Sequence, residues 1–135
     1  MVSPKSILVV DDDLNLRKTL VMILQNAGYE VEFAESAPRG MLLLQSRKFD
    51  LMILDYKMPE VDGMYFLNAV RNLFPDLSVC FLTGNGSPEL EAQAWKNGVK
   101  GYLVKPADPE RILQLVRTLC PVNPEEWSET AASIK

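Results

Sequence analysis

Along this chain, short apolar runs alternate with longer stretches in which apolar residues return every three or four positions. Ile7-Leu8-Val9-Val10 is an unbroken run of strand length that stops on Asp11-Asp12-Asp13. From Leu14 to Ala27, residues Leu16, Leu20, Ile23, Leu24 and Ala27 share one face of a helix, and Gly28 ends it. Tyr29 to Phe33 alternates as a short strand. Ser36 reads as an N-cap, with Pro38 in the first turn of a helix that runs to about Arg47. Leu51 to Leu54 is apolar throughout, the pattern of a strand covered on both faces.

The second half continues the alternation. Leu67, Val70 and Phe74 mark the inner face of a helix beginning near Asp62-Gly63, with Asp62 as its cap and Gly63 supplying backbone freedom. Leu77 to Leu82 is a fourth strand. Ser87-Pro88-Glu89 combines an N-cap, a proline at the first helical position and an acidic first turn, and that helix ends at Asn97-Gly98. Tyr102 to Val104 is a fifth strand, and Asp108-Pro109-Glu110 opens a last helix through Cys120. Five strands alternating with five helices predict an α/β fold, a doubly wound five-stranded parallel sheet with helices on both faces. Residues 1–120 are expected to form one domain, and residues 121–135 a C-terminal tail or linker. Trp127 in that tail is a docking or chance aromatic.

Composition narrows the function. The 135 residues are 47% apolar and 24% charged, as in an ordinary globular domain, and no apolar run is long enough for a membrane span. The amino-terminal residues lack a secretory signal pattern, so a cytoplasmic location is expected. The net charge is −4 with no basic stripe, which argues against direct nucleic-acid binding by this chain. There is no histidine, which removes histidine acid–base chemistry and the usual zinc sites. Cys80 and Cys120 sit in apolar surroundings and read as reduced packing residues.

Chemistry-bearing residues gather where the strands are expected to end. Asp11 and Asp12 follow the first strand, Asp55 the third, Thr83 the fourth and Lys105 the fifth. In an open parallel sheet, ligands bind outside the carboxyl ends of the strands. Chain exit from the core explains one or two polar residues there, but poorly explains three carboxylates, a hydroxyl and an ammonium. Two carboxylates about 4 Å apart repel by about 4 kcal/mol at an effective dielectric near 20, so a compensating cation is implied. Mg²⁺ suits such a site, since it takes hard oxygen ligands and uses one or two carboxylates directly. The set reads as a Mg²⁺-assisted phosphoryl-transfer site, with Asp11, Asp12 and Asp55 as ligands and Asp55 as phosphoryl acceptor. Lys105 and Thr83 would bind the phosphoryl oxygens. Asp13 reads as the cap of the first helix. Gly84-Asn85-Gly86 fits no nucleotide-binding fingerprint and reads as a flexible loop, with Gly84 leaving the phosphoryl pocket open.

From about Ser6 to Cys120 the chain resembles the receiver domains of two-component response regulators, a CheY-like family with a flavodoxin-like (βα)5 fold. The resemblance is carried by "VVDDD" after the first strand, "DYKMPEVDG" from Asp55 to Gly63, "LTGNG" with Thr83, and "GYLVKP" ending in Lys105-Pro106. It implies that Asp55 takes a phosphoryl group from a phosphohistidine on a sensor histidine kinase or a histidine phosphotransfer protein. The backbone carbonyl of Lys57 would join Asp11, Asp12 and Asp55 around Mg²⁺. Thr83 and Tyr102 would act as switch residues, remodelling the face of the fourth helix, fifth strand and fifth helix to signal to an effector domain or protein. The Lys105-Pro106 bond would be cis. Such a chain modifies itself and is not an enzyme with a separate substrate.

Two features depart from the common pattern. Ala107 stands where many receivers carry an aromatic, so packing beneath the site differs. Lys57 and Asn85, two residues beyond Asp55 and Thr83, lie beside the route of attacking water, where Lys57 would reach over the acyl phosphate and slow hydrolysis. Trp95 falls on the flank of the fourth helix, where packing and partner contact are equally open, and with Tyr102 it marks a candidate effector or homodimer surface. Three rival readings are weaker. A haloacid-dehalogenase-like phosphatase needs a second Asp two residues after its nucleophile, and Asp55 is followed there by Lys57. Asp11 and Asp13 have that spacing but leave Thr83, Lys105 and "MPEVDG" unexplained. A flavodoxin-like electron carrier is poorly served by a first loop of three aspartates. A silent pseudo-receiver is opposed by the complete Asp, Thr and Lys positions. The tail fits either a stand-alone receiver or a piece of a longer regulator.

Overall fold

The computed structural model describes residues 4–57, 61–84 and 86–122. Met58, Pro59, Asn85, Trp127 and the tail beyond Val122 lie outside the described residues. Ten elements alternate in chain order: β1 (Ser6–Val10), α1 (Leu14–Asn26), β2 (Glu30–Ala34), α2 (Ala37–Ser46), β3 (Leu51–Asp55), α3 (Gly63–Leu73), β4 (Ser78–Thr83), α4 (Pro88–Lys96), β5 (Gly101–Val104) and α5 (Pro109–Leu119). The strands form one parallel sheet in the order β2-β1-β3-β4-β5. The expected α/β architecture is therefore the observed one.

Each helix begins where its cap side chain dictates. Asp13, Ser36, Asp62, Ser87 and Asp108 all accept hydrogen bonds from backbone N–H groups of the first turn. Pro38, Pro88 and Pro109 sit in first turns, where the missing N–H costs nothing. Gly28 and Gly98 follow α1 and α4 with φ of 101° and 94°, the left-handed conformation that favours glycine.

The sheet divides the core in two. On one face Leu8, Val10, Met52, Leu54, Val79 and Phe81 pack with α2, α3 and α4. On the other, Ile7, Val9, Leu51, Ile53, Leu82 and Leu103 pack with α1 and α5. β1 and β3 are buried at every position, as their unbroken apolar runs imply. Each such Leu, Ile or Val contributes roughly 1.5–3 kcal/mol by leaving water. Edge strand β2 differs from the expected alternation. Phe33 is 45% exposed, with the Arg17 guanidinium 4.6 Å from its ring centroid, while Ala34 at the strand's end is fully buried. An edge strand has neighbours on one side only, so its outer positions stay open. Cys80 and Cys120 are buried free thiols, and burial pushes them up to about 12 and about 11. Among the described residues, no helix is long and apolar enough to cross a membrane.

Candidate functional site

The strand order reverses between β1 and β3, and a crevice at such a switch point is where open α/β sheets bind ligands. Asp11 leaves β1 there and Asp55 ends β3. Both carboxylates are buried, whereas Asp12 is exposed. One oxygen from each of Asp11, Asp12 and Asp55 lies within 4.8 Å of the others. Three hard oxygen donors so close, one facing solvent, form a donor set suited to a small divalent cation that keeps some of its waters.

Lys105 balances part of this charge. Its Nζ lies 3.1 Å from Asp11 Oδ2 and 3.3 Å from Asp55 Oδ2. The Lys105 backbone N–H donates to the Thr83 carbonyl at 2.6 Å, which ties the ends of β4 and β5 together. The Lys105-Pro106 peptide is cis. Thr83 is buried at the end of β4, in the same row of strand ends.

Two backbone donors orient the carboxylates. The Lys57 N–H donates to Asp55 Oδ1 at 3.1 Å, and the Asp13 N–H to Asp11 Oδ1 at 2.8 Å. Asp13 thus caps α1 with its side chain and holds Asp11 with its backbone. Side-chain chemistry in the sequence revealed only the first role. The second had a signal in the spacing, since an Asp followed two residues later by a turn N–H is an Asx-turn pattern.

The electrostatics follow from crowding. Burial first, then the charge of Asp11, raises the Asp55 pKa from 3.8 to about 6, against the pull of Lys105 and the Lys57 N–H. Burial pulls Lys105 down, but Asp11 and Asp55 more than offset it, and its pKa is raised. The pocket therefore holds more negative charge than one ammonium neutralises.

Gly63 has a different reason from the expected one. Its φ is not positive; instead, a Cβ there would run into the carbonyl oxygen and Cα of Tyr56. The start of α3 presses on the chain leaving β3, and Lys57 pairs with Asp62 in an isolated antiparallel bridge. No local sequence pattern signals that approach. At Gly84 an added Cβ would meet nothing within 4 Å, so the rim there is open.

The remaining candidates lie along α4 and β5, away from the carboxylates. Tyr102 is half-buried against the α2–α4 face of the core. Its hydroxyl lies close enough to feel the Ser87 N–H, yet in no well-formed hydrogen bond, and burial raises its pKa. A Cβ at Gly86 would sit 2.8 Å from that hydroxyl. Trp95 is 47% exposed, and its indole N–H donates to Glu91 Oε2 at 3.2 Å, one turn back along α4. Val104 is exposed on β5, and a Cβ at Gly86 would sit 2.8 Å from its Cγ2 as well.

A family model described as the response regulator receiver domain matches residues 7–117. The transcriptional regulatory protein GlrR of Escherichia coli K12 is 35% identical over 130 residues, covering 93% of this chain and 29% of that protein. The chain thus spans less than a third of that relative. Chemotaxis protein CheY4 of Vibrio cholerae superposes with a TM-score of 0.81 at 34% identity, over 87% of this chain and 99% of CheY4. The beryllofluoride-activated NtrC4 receiver domain, solved as a dimer, superposes with a TM-score of 0.81 at 31% identity, over 84% of this chain and 94% of that one.

Proposed function

The chain belongs to the response regulator receiver family of two-component systems, and from that premise we propose that Asp55 is its phosphoryl acceptor, charged by a phosphohistidine on a sensor kinase or phosphotransfer protein. The observation that carries this reading is the Lys105 ammonium, shared between buried Asp55 and buried Asp11 where three strand ends meet.

In the reaction, an Asp55 carboxylate oxygen attacks phosphorus in line with the departing group and forms an acyl phosphate. Lys105 swings from the carboxylate pair to the incoming phosphoryl oxygens, and the Thr83 hydroxyl donates to another of them. Asp11, Asp12, Asp55 and the Lys57 carbonyl would hold Mg²⁺, which when bound neutralises the charge gathered on carboxylates and phosphoryl oxygens. The Lys57 and Asp13 N–H groups hold Asp55 and Asp11 in place. Asp55 is modified once per cycle, so no separate substrate is turned over.

Readout follows from the same elements. Thr83 and Lys105 move toward the phosphoryl group, which shifts the β4–α4 connection beneath the Tyr102 hydroxyl. That hydroxyl is poorly satisfied where it lies, which favours a rotamer change. Tyr102, Trp95 and Val104 then present an altered α4-β5-α5 face to an effector, attached or separate, or to a second copy of the chain. Residues 1–120 would be the receiver and 121–135 a tail or linker, acting in the cytoplasm without contacting nucleic acid directly.

Intact mass after incubation with acetyl phosphate tests the reading. One phosphoryl group should be added, dependent on Mg²⁺ and abolished by Asp55→Asn. A folded chain that gains no mass, or that hydrolyses small phosphoesters with multiple turnovers, overturns it.

A further inference from the structure

A recess of about 510 Å³ opens between the ends of α2 and α3. Asp50 and Leu77, which precede β3 and β4, line it, so it lies at the strands' starts, the pole opposite the carboxylates. Leu44, Phe49 and Leu77 form a buried apolar floor, whereas Leu73 on the wall is 60% exposed. Lys48 also lines the recess, is exposed and makes no ion pair among the described residues.

The end of α5 comes to the same pole. Cys120, its cap, packs in one core cluster with Leu51, the first residue of β3 and the neighbour of Asp50. Burial first, then the charge of nearby Asp50, raises the Cys120 pKa. The Tyr29 hydroxyl donates to the Cys120 carbonyl at 2.6 Å, and Val122 packs against that cluster, which fixes where the chain leaves α5. Trp127 follows five positions after Val122, preceded by Glu125 and Glu126. Five extended residues span up to about 17 Å. Packed layers lie about 10 Å apart, so the side chain of Trp127 can pass under the sheet to the recess.

The lining suits that side chain. A cavity on the order of 150 Å³ takes up benzene, so there is room for an indole, which joins an apolar body to a single N–H donor. α2 ends at Ser46 and α3 at Leu73, both in the lining, and carbonyls that a helix end leaves unpaired can accept that N–H. A tether this short gives an effective concentration of about millimolar, which an outside partner must exceed. We propose that Trp127 fills this recess, with Glu125 and Glu126 drawn to Lys48, so that the segment after α5 is strapped beneath the sheet.

The test follows tryptophan fluorescence in the full chain carrying Trp95→Phe, which leaves Trp127 as the one tryptophan of the original two. Its emission should lie to the blue of the urea-unfolded chain, and acrylamide should quench it severalfold less than free N-acetyltryptophanamide. Leu73→Glu places a charge on an exposed wall position and should bring quenching close to that of the unfolded chain, with circular dichroism reporting that the fold is kept. Lys48→Glu puts a like charge beside Glu125 and Glu126, should act in the same direction, and decides the matter if Leu73→Glu fails to fold. Free quenching of Trp127 in the folded chain overturns the proposal, as does protection that the folded Leu73→Glu variant leaves unchanged. Protection that disappears on dilution, as sedimentation shows a dimer dissociating, assigns the recess to a second copy and overturns it too.

Discussion

Replacing Asp55 by asparagine should make the metal-free protein more stable at neutral pH, although it removes the residue on which the proposed function turns. Asp55 is buried beside Asp11, and it holds its proton to about pH 6 in the folded chain against 3.8 when free. Between those values the folded state binds more protons than the unfolded one, so stability falls as pH rises through the window. The gap of about two pKa units is worth about 3 kcal/mol, already net of the attraction to Lys105. Asparagine keeps the shape of the neutral acid and cannot ionise. Asp55→Asn should therefore match the native chain near pH 4 and exceed it by about 3 kcal/mol at pH 7.5 in EDTA. With a urea m-value of roughly 2 kcal/mol/M, the midpoint should rise by about 1.5 M. Urea titrations of both proteins at half-unit pH steps make the comparison. Equal midpoints at pH 7.5, or a difference that does not shrink on acidification, would show that the carboxylate cluster does not destabilise the fold.

Three further expectations follow from the same geometry. Mg²⁺ should raise the melting temperature of the native chain, and Asp12→Ala should weaken that rise while leaving metal-free stability within about 0.5 kcal/mol, since Asp12 is exposed; calorimetry with and without Mg²⁺ measures both. Gly63→Ala should destabilise the fold by roughly 1–3 kcal/mol, because its Cβ would run into the Tyr56 backbone, and unaltered denaturant midpoints would contradict that close approach. Lys57→Ala should shorten the lifetime of the phosphorylated form severalfold if the Lys57 side chain shields the acyl phosphate from water. Decay followed by intact mass reads that lifetime, and an unchanged value removes Lys57 from the account.

Much of this molecule is readable without coordinates. The unbroken runs at residues 7–10 and 51–54 announce strands buried on both faces, because only a sheet covered twice tolerates apolar side chains at consecutive positions. Caps at Asp13, Ser36, Asp62, Ser87 and Asp108 place the helix starts, because each side-chain oxygen meets an N–H that the helix itself leaves unpaired. Strand ends bearing Asp11, Asp55, Thr83 and Lys105 follow from the same parsing. Other features depend on approach in space, which no local pattern encodes. The strand order brings Asp11 and Asp55, 44 positions apart in the chain, to one ammonium, and their crowding rather than either residue alone lifts the Asp55 pKa. Edge position leaves Phe33 open where alternation alone would not. Gly63 is small because Tyr56 presses on it, and a recess beside Ala107 exists because α1 and the β5–α5 connection leave space between them. Hydrogen bonding and apolar periodicity are local and survive in one dimension; electrostatic coupling and free volume arise only between segments that folding brings together.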